Sequence, residues 1–181
     1  MNSYCCEVSF PHDLDYGNFC KVDQRITNYP IEIIDERLLR LLKDLDITIL
    51  HSEVFFTPPN SDLDIHIDVG SVGNLTKLNV CISSNQSFMN WYDVISESTN
   101  NEARSTQIGT PYISIDRQCA RLIHTQCING TFIVNAGIPH DSTNYTAENR
   151  WTLSMVLWDD INHRHLQFEE ALIRLKQYYQ E

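Results

Sequence analysis

At 181 residues, with 42% hydrophobic and 20% charged side chains, the chain has the size and texture of one globular domain that buries its core unaided. Its 24 acidic against 13 basic side chains give a formal net charge of -11; such a surface repels phosphate backbones, and no Lys/Arg cluster supplies a basic face, so no nucleic-acid partner is expected. Cys5 and Cys6 are adjacent while Cys20, Cys81, Cys119 and Cys127 are scattered without CxxC spacing, which argues against a disulfide framework and against a zinc finger.

The opening MNSYCCEVSFPHD has no basic start followed by an apolar core, and no run is long enough to span a bilayer. A cytoplasmic protein with reduced thiols and no membrane partner is expected. Residues 1–29 are mixed and carry no assignable pattern. From Pro30 the text IEIIDERLLRLLKDLD places Ile34, Leu38, Leu41 and Leu45 at helical spacing with charges between them, which predicts an amphipathic helix over 31–45. ITILHSEVFFT is rich in β-branched and aromatic residues and ends at Pro58-Pro59-Asn60, a strand followed by a break. Strand-like pieces follow: LDIHIDV, KLNVCIS, SFMNWYDVI, TFIVNAG and RWTLSMVLW, punctuated by Gly70, Gly73, Asn129-Gly130 and Pro139. Residues 97–109, ESTNNEARSTQIG, form the most polar stretch and read as a long loop. A closing helix over 166–180 puts Phe168, Leu172, Leu175 and Tyr179 on one face. Short strands flanked by helices predict a mainly β, single-domain chain over 1–181, an antiparallel sandwich or jelly-roll barrel rather than a parallel α/β sheet.

His66-Ile67-Asp68 is the sole His-x-Asp in the chain. On a strand, residues two apart face the same side, so imidazole and carboxylate converge while Ile67 turns into packing. His140, in GIPHDSTN at a Pro-bounded strand end, is the candidate third ligand. Two histidines and a carboxylate on one octahedral face leave three open positions, the arrangement of non-haem iron(II) oxygenases. A 2-oxo acid can chelate iron through its carboxylate and keto oxygens, leaving one position for dioxygen, and its far carboxylate then needs a fixed cation. Arg150 lies ten positions after His140 and shares a strand face with Thr152 and Ser154. Guanidinium plus hydroxyl suits a carboxylate clamp. His51-x-Glu53 is a competing pair, set aside because the Pro58-Pro59 break follows it. Trp91-Tyr92 reads either as an entrance lining or as a buried aromatic pair. His124, His163 and His165 read as structural, and Cys81 and Cys127 as small buried hydrophobes.

HxD, 72 positions to the distal histidine and arginine ten later, together with FTPP…IHID…KLN…MNWYDV…FIVNAGIPH…NRWTLS over roughly residues 45–160, resemble the iron(II)/2-oxoglutarate oxygenases. The wording is similar to the aspartyl/asparaginyl β-hydroxylase-like branch, and more closely to small stand-alone members from bacteria and bacteriophages. The resemblance implies a double-stranded β-helix (cupin-like) fold with helices near both termini. It implies iron(II) on His66, Asp68 and His140, with 2-oxoglutarate as co-substrate and dioxygen and a further substrate as partners. That branch carries an Arg-Leu-His triplet that helps hold the co-substrate. Lys77-Leu78-Asn79 stands at the matching position, and Lys77 and Asn79 would share that role with Arg150 and Thr152. The implied reaction is hydroxylation of a small molecule, amino acid or peptide side chain, with release of succinate and CO2. The alternatives are a cupin-like protein that holds a metal or ligand without redox turnover, and a metal-dependent isomerase or hydrolase needing a carboxylate base.

Overall fold

The computed structural model describes residues 3–11, 13–68, 75–83, 86–96 and 102–179. In chain order the first strands are β1 (Cys5–Glu7), β2 (Ile26–Asn28), β3 (Ile47–Thr57), β4 (Ser61–Asp62), β5 (His66–Asp68), β6 (Thr76–Ile82) and β7 (Ser87–Val94). They are followed by β8 (Glu102–Ser105), β9 (Pro111–Ser114), β10 (Ala120–Cys127), β11 (Gly130–Asn135), β12 (His140–Asn144), β13 (Arg150–Asp159) and β14 (Arg164–His165). Helix α1 spans Glu36–Lys43 and α2 spans Phe168–Arg174.

Two antiparallel sheets hold these strands. The first runs β1-β11-β6-β13-β3-β2 with β14 on β13, and the second runs β10-β7-β12-β5-β9-β8 with β4 on β12. This is the double-stranded β-helix that the sequence predicts. Alternation along the first sheet divides its residues cleanly. Val54, Leu78, Val80, Leu153 and Met155 face outward into a fully buried apolar layer with Leu38 and Leu42 of α1 and Phe168, Ala171 and Leu172 of α2. The residues between them face the second sheet, where Thr152 lies between Cys81 and Phe55, and Ser154 between Asn79 and Glu53. That inner face is polar and buried. Such a face needs partners, because buried polar groups without hydrogen bonds are costly.

The N-terminal helix is shorter than its apolar text. Ile31–Ile33 forms one 3-10 turn, Ile34 is extended, and Asp35 accepts from the Arg37 N–H to cap α1. Capping after Ile34 resets the helical phase, so Leu38 and Leu42 are buried while Leu41 and Leu45 are only partly so. At the other end α2 gives way after Arg174 to a 3-10 turn over Lys176–Tyr178.

The long loop read over 97–109 is corrected in its second half. Residues 97–101 lie outside the described residues, as do Gly70 and Gly73, but Glu102–Ser105 pairs with Pro111–Ser114 as a hairpin. Gly109, at φ +90°, makes its turn possible, a backbone region that other residues rarely adopt. The strand Ala120–Cys127 carries no sequence signal either: a register shift between Leu122 and His124 breaks its alternation. None of the six cysteines is in a disulfide; Cys81 is buried and Cys127 is partly so.

Candidate metal centre

β5 is short and pairs with both β9 and β12, so His66 and Asp68 rise from one face of the second sheet. Ile67 turns to the other face and packs against Ile65, Tyr92 and Ile115. His140 opens β12 directly opposite His66, and the two rings lie 4.4 Å apart between centroids. The chain reaches this point from β11 of the first sheet through Ala136–Pro139, held by Asp68 N–H donating to the Ala136 carbonyl at 3.1 Å and Tyr92 N–H to that of Pro139 at 2.9 Å.

His66, Asp68 and His140 bring one ligand atom each to within 4.8 Å of one another. The Nδ1 atoms are engaged: that of His66 lies 2.7 Å from the Asp64 carbonyl and that of His140 2.9 Å from the Ile138 carbonyl. Each carbonyl only accepts, so Nδ1 carries the proton and Nε2 presents its lone pair inward. The two Nε2 atoms each lie 3.8 Å from a different oxygen of Asp68. Burial, then the neighbouring His66, lowers the His140 pKa to about 4, so the ring is neutral at pH 7 as a metal ligand must be. Burial alone would raise the Asp68 carboxyl, but Lys77, His66 and His140 together hold it well below the usual carboxylate range.

This donor set fits a divalent cation. Ligand atoms about 2.1 Å from an ion and at right angles to one another are about 3 Å apart, so contractions of about 1 Å, and no more than about 2 Å at the widest separation, close the set. Nitrogen, nitrogen and carboxylate oxygen without thiolate suit iron(II) or manganese(II). Lys77, almost wholly buried, donates to Asp68 Oδ2 at 2.7 Å and lies 5.6 Å from the Phe55 ring centre. Oδ1, turned toward His66, has no such partner among the described residues. Lys77, placed with the co-substrate by resemblance, therefore reaches the metal set first.

Behind the triad lies an inner pocket of about 40 Å³ lined by Phe55, Lys77, Asn79, Met89, Arg150 and Thr152, among others. Arg150 is 1% exposed. Its nearest acceptors are the Phe88 carbonyl at 3.4 Å and the Cys81 sulfur at 3.9 Å, and its Nε has no partner among the described residues. No carboxylate among the described residues pairs with it. Asn79 Oδ1 is likewise unpartnered, its amide donating only to the Met89 sulfur at 3.9 Å. The inner wall thus brings Arg150, Thr152, Lys77 and Asn79 into one pocket with the triad.

Other functional neighbours carry no sequence signal. Asp141, fully buried beside His140, accepts from Asn90 and Tyr92 at 2.7 Å each and from Arg117 at 3.0 Å. These bonds fasten the strand that carries His140. Trp91 is fully buried and donates from Nε1 to the Asn135 carbonyl at 3.0 Å, which settles the aromatic pair as core rather than entrance. His51 lies 3.8 Å from Glu53 on the first sheet's inner face, apart from the triad.

No family model and no curated protein matches the sequence. Solved structures are similar to parts of the chain. An oxidoreductase of the 2OG-Fe(II) oxygenase family from Burkholderia pseudomallei is 12% identical, with a TM-score of 0.39 over 74% of this chain and 55% of that one. The non-heme monooxygenase ThoJ, in a nickel complex, is 14% identical, with a TM-score of 0.39 over 68% and 50%. An oxalate oxidase in complex with glycolate is 11% identical, with a TM-score of 0.36 over 77% and 54%. The chain spans about half the length of each of these. Likeness at this distance assigns no chemistry, which the chain's own side chains must supply. No helix among the described residues is long and apolar enough to cross a membrane.

Proposed function

We propose that the chain is an iron(II)- and 2-oxoglutarate-dependent dioxygenase that hydroxylates a further substrate with release of succinate and CO2. The observation that carries this reading is Arg150, a buried guanidinium with no counter-ion among the described residues, set in the pocket that His66, Asp68 and His140 also line. An uncompensated buried charge costs several kcal/mol, on the order of the net stability of a domain. Such a cost is retained where an anion is to arrive. A cupin that merely held a metal would have no use for it.

His66, Asp68 and His140 would hold the iron. When bound, iron supplies the oxidising power, activating dioxygen at the expense of 2-oxoglutarate decarboxylation. Arg150 takes the far carboxylate in a two-bond fork, and Thr152, whose hydroxyl lies 3.4 Å from the Cys81 sulfur, offers a second donor. Lys77 neutralises Asp68 Oδ2 and keeps the carboxylate turned toward its partners. Phe55, Met89 and Val134 close the remaining wall and exclude water. By the measure in which one water needs about 10–15 Å³, an inner pocket of about 40 Å³ holds about three waters. Entry of a five-carbon diacid therefore requires lining side chains to withdraw.

Titration of 2-oxoglutarate into the manganese(II)-loaded protein under nitrogen tests the reading. Removing one partner of a desolvated charged pair costs about 2–5 kcal/mol, so Arg150→Ala should weaken binding by roughly thirty-fold to several thousand-fold while manganese affinity stays unchanged. Arg150→Lys should recover part of the loss. If the parent binds manganese but not 2-oxoglutarate, or the alanine variant binds it as well as the parent, the metal-holding cupin becomes the better account.

A further inference from the structure

Beside the triad, opening outward from it, lies a second and larger cavity of about 190 Å³, roughly room for a dozen waters by the same measure. It shares Phe55, Leu63, His66 and Asp68 with the inner pocket, so whatever occupies it lies against the metal set. Its walls come from both sheets. Arg25 leads into β2, the edge of the first sheet, where Ile26 pairs with Phe55. Asp62 and Asp64 belong to the β4–β5 segment of the second sheet. Tyr112 of β9 and the hydroxyls of Thr106 and Thr110 at the hairpin tip complete it, and Thr110 donates to the buried Glu53.

The charges of this cavity sort into spent and unspent. Asp68 is matched by Lys77 at 2.7 Å, and Asp62 faces, at 3.7 Å, the exposed Arg117 guanidinium that also donates to Asp141. Arg25 and Asp64 are exposed, and neither side chain has an ion pair or hydrogen bond with any described residue. Among the described residues, then, one free cation stands on one wall and one free carboxylate on the other, the latter two residues before His66. An anionic ligand alone would meet Asp64, and a cationic one alone would meet Arg25. A molecule bearing both charges meets neither penalty.

We propose that the outer cavity binds a small zwitterion, a free amino acid, with its carboxylate on Arg25 and its ammonium on Asp64. This rests on the oxygenase reading in one respect: the amino acid held there is the molecule oxidised. Its side chain would lie toward Phe55, Leu63 and Tyr112, and the hairpin hydroxyls would bind its remaining polar edge.

The probes are the proteinogenic amino acids with β-alanine and γ-aminobutyrate, each beside its methyl ester and its N-acetyl derivative. They are titrated by ligand-observed NMR into the full chain loaded with manganese(II), with and without 2-oxoglutarate. At least one free amino acid should bind, and its ester and N-acetyl derivative should each bind at least tenfold more weakly. Arg25→Gln should abolish the discrimination against the ester, and Asp64→Asn that against the N-acetyl derivative, while both variants keep the parent's affinity for 2-oxoglutarate. The zwitterion proposal is overturned if the parent binds 2-oxoglutarate but no amino acid, if esters and N-acetyl derivatives bind as well as the free forms, or if neither substitution alters the preference. Binding of an amino acid by a parent that fails to bind 2-oxoglutarate would uphold the cavity's specificity and sink the oxygenase reading instead.

Discussion

β13 carries a buried charge at each end, and the two are treated in opposite ways. Asp159, at the C-terminal end, accepts from Arg174 at 2.8 Å, from the Asn162 amide at 2.6 Å and from the Ile161 and Asn162 N–H groups at 3.1 and 3.3 Å. Arg150, at the N-terminal end, finds a carbonyl at 3.4 Å, a sulfur at 3.9 Å and, among the described residues, nothing for its Nε. A charge whose hydrogen-bonding capacity is used up inside the chain belongs to the scaffold. A charge left short of partners in a pocket is waiting for something outside the chain. On the proposed reading, the strand joins a structural end, where α2 and β14 dock, to an end beside the triad that receives the co-substrate.

The comparison is broken most forcefully at the scaffold end. Asp159→Ala leaves Arg174 with backbone carbonyls of Leu45 and Asp46 but no counter-ion, and should cost about 3–5 kcal/mol in urea unfolding, with no change in 2-oxoglutarate affinity of whatever protein remains folded. Equal loss of co-substrate binding would erase the distinction between the ends. At the functional end the sign should reverse. Arg150→Met removes an unpaired buried cation, so the metal-free variant should be as stable as the parent or more so, by up to about 4 kcal/mol, while its 2-oxoglutarate binding disappears. Marked destabilisation of that variant in calorimetry would mean that Arg150 is a structural residue.

Acid sharpens the same contrast. Burial favours the protonated Asp159, but the Asn162 amide and Arg174 outweigh it and hold the carboxyl down to about 2. A folded-state value below the unfolded one contributes stability that is present above about pH 4 and lost as pH falls toward about 2. Asp159→Asn should therefore flatten the acid limb of the stability curve in that window, as followed by circular dichroism; an unchanged limb would show that Asp159 is not among the groups that set it. The smallest effect concerns Thr152. Thr152→Val removes one hydroxyl hydrogen bond to a carboxylate, about 1.5–3 kcal/mol, and should weaken 2-oxoglutarate by roughly tenfold to 150-fold, less than loss of Arg150. A larger loss in the same titration would make the hydroxyl an equal partner in the clamp.

Much of this arrangement is legible in the chain because strands impose a period of two. The alternation of RWTLSMVL by itself separates Arg150, Thr152 and Ser154 from Trp151, Leu153 and Met155. His66 and Asp68 obey the same rule. The illegible parts depend on distant pairing or broken alternation. The hairpin after residue 101 joins two strands of four residues each, the first of them polar, and Ala120–Cys127 carries a register shift, so neither announces itself. The closeness of Lys77 to Asp68 arises from two sheets facing each other, and Arg25 reaches the cavity only because Ile26 pairs with Phe55. The apolar spacing of α1 overruns its start because it continues back through Ile31–Ile34, while the Asp35 cap fixes where the helix begins.

The central claim is that the triad and Arg150 act together on one co-substrate, and oxygen-dependent conversion of 2-oxoglutarate to succinate measures it. Purified protein with iron(II), 2-oxoglutarate and the free amino acid panel should form succinate only when iron and oxygen are both present, and His66→Ala and Arg150→Ala should each abolish it at co-substrate concentrations that saturate the parent. Succinate formation undiminished in the Arg150→Ala protein, or none from a parent that binds both manganese(II) and 2-oxoglutarate, would contradict the account.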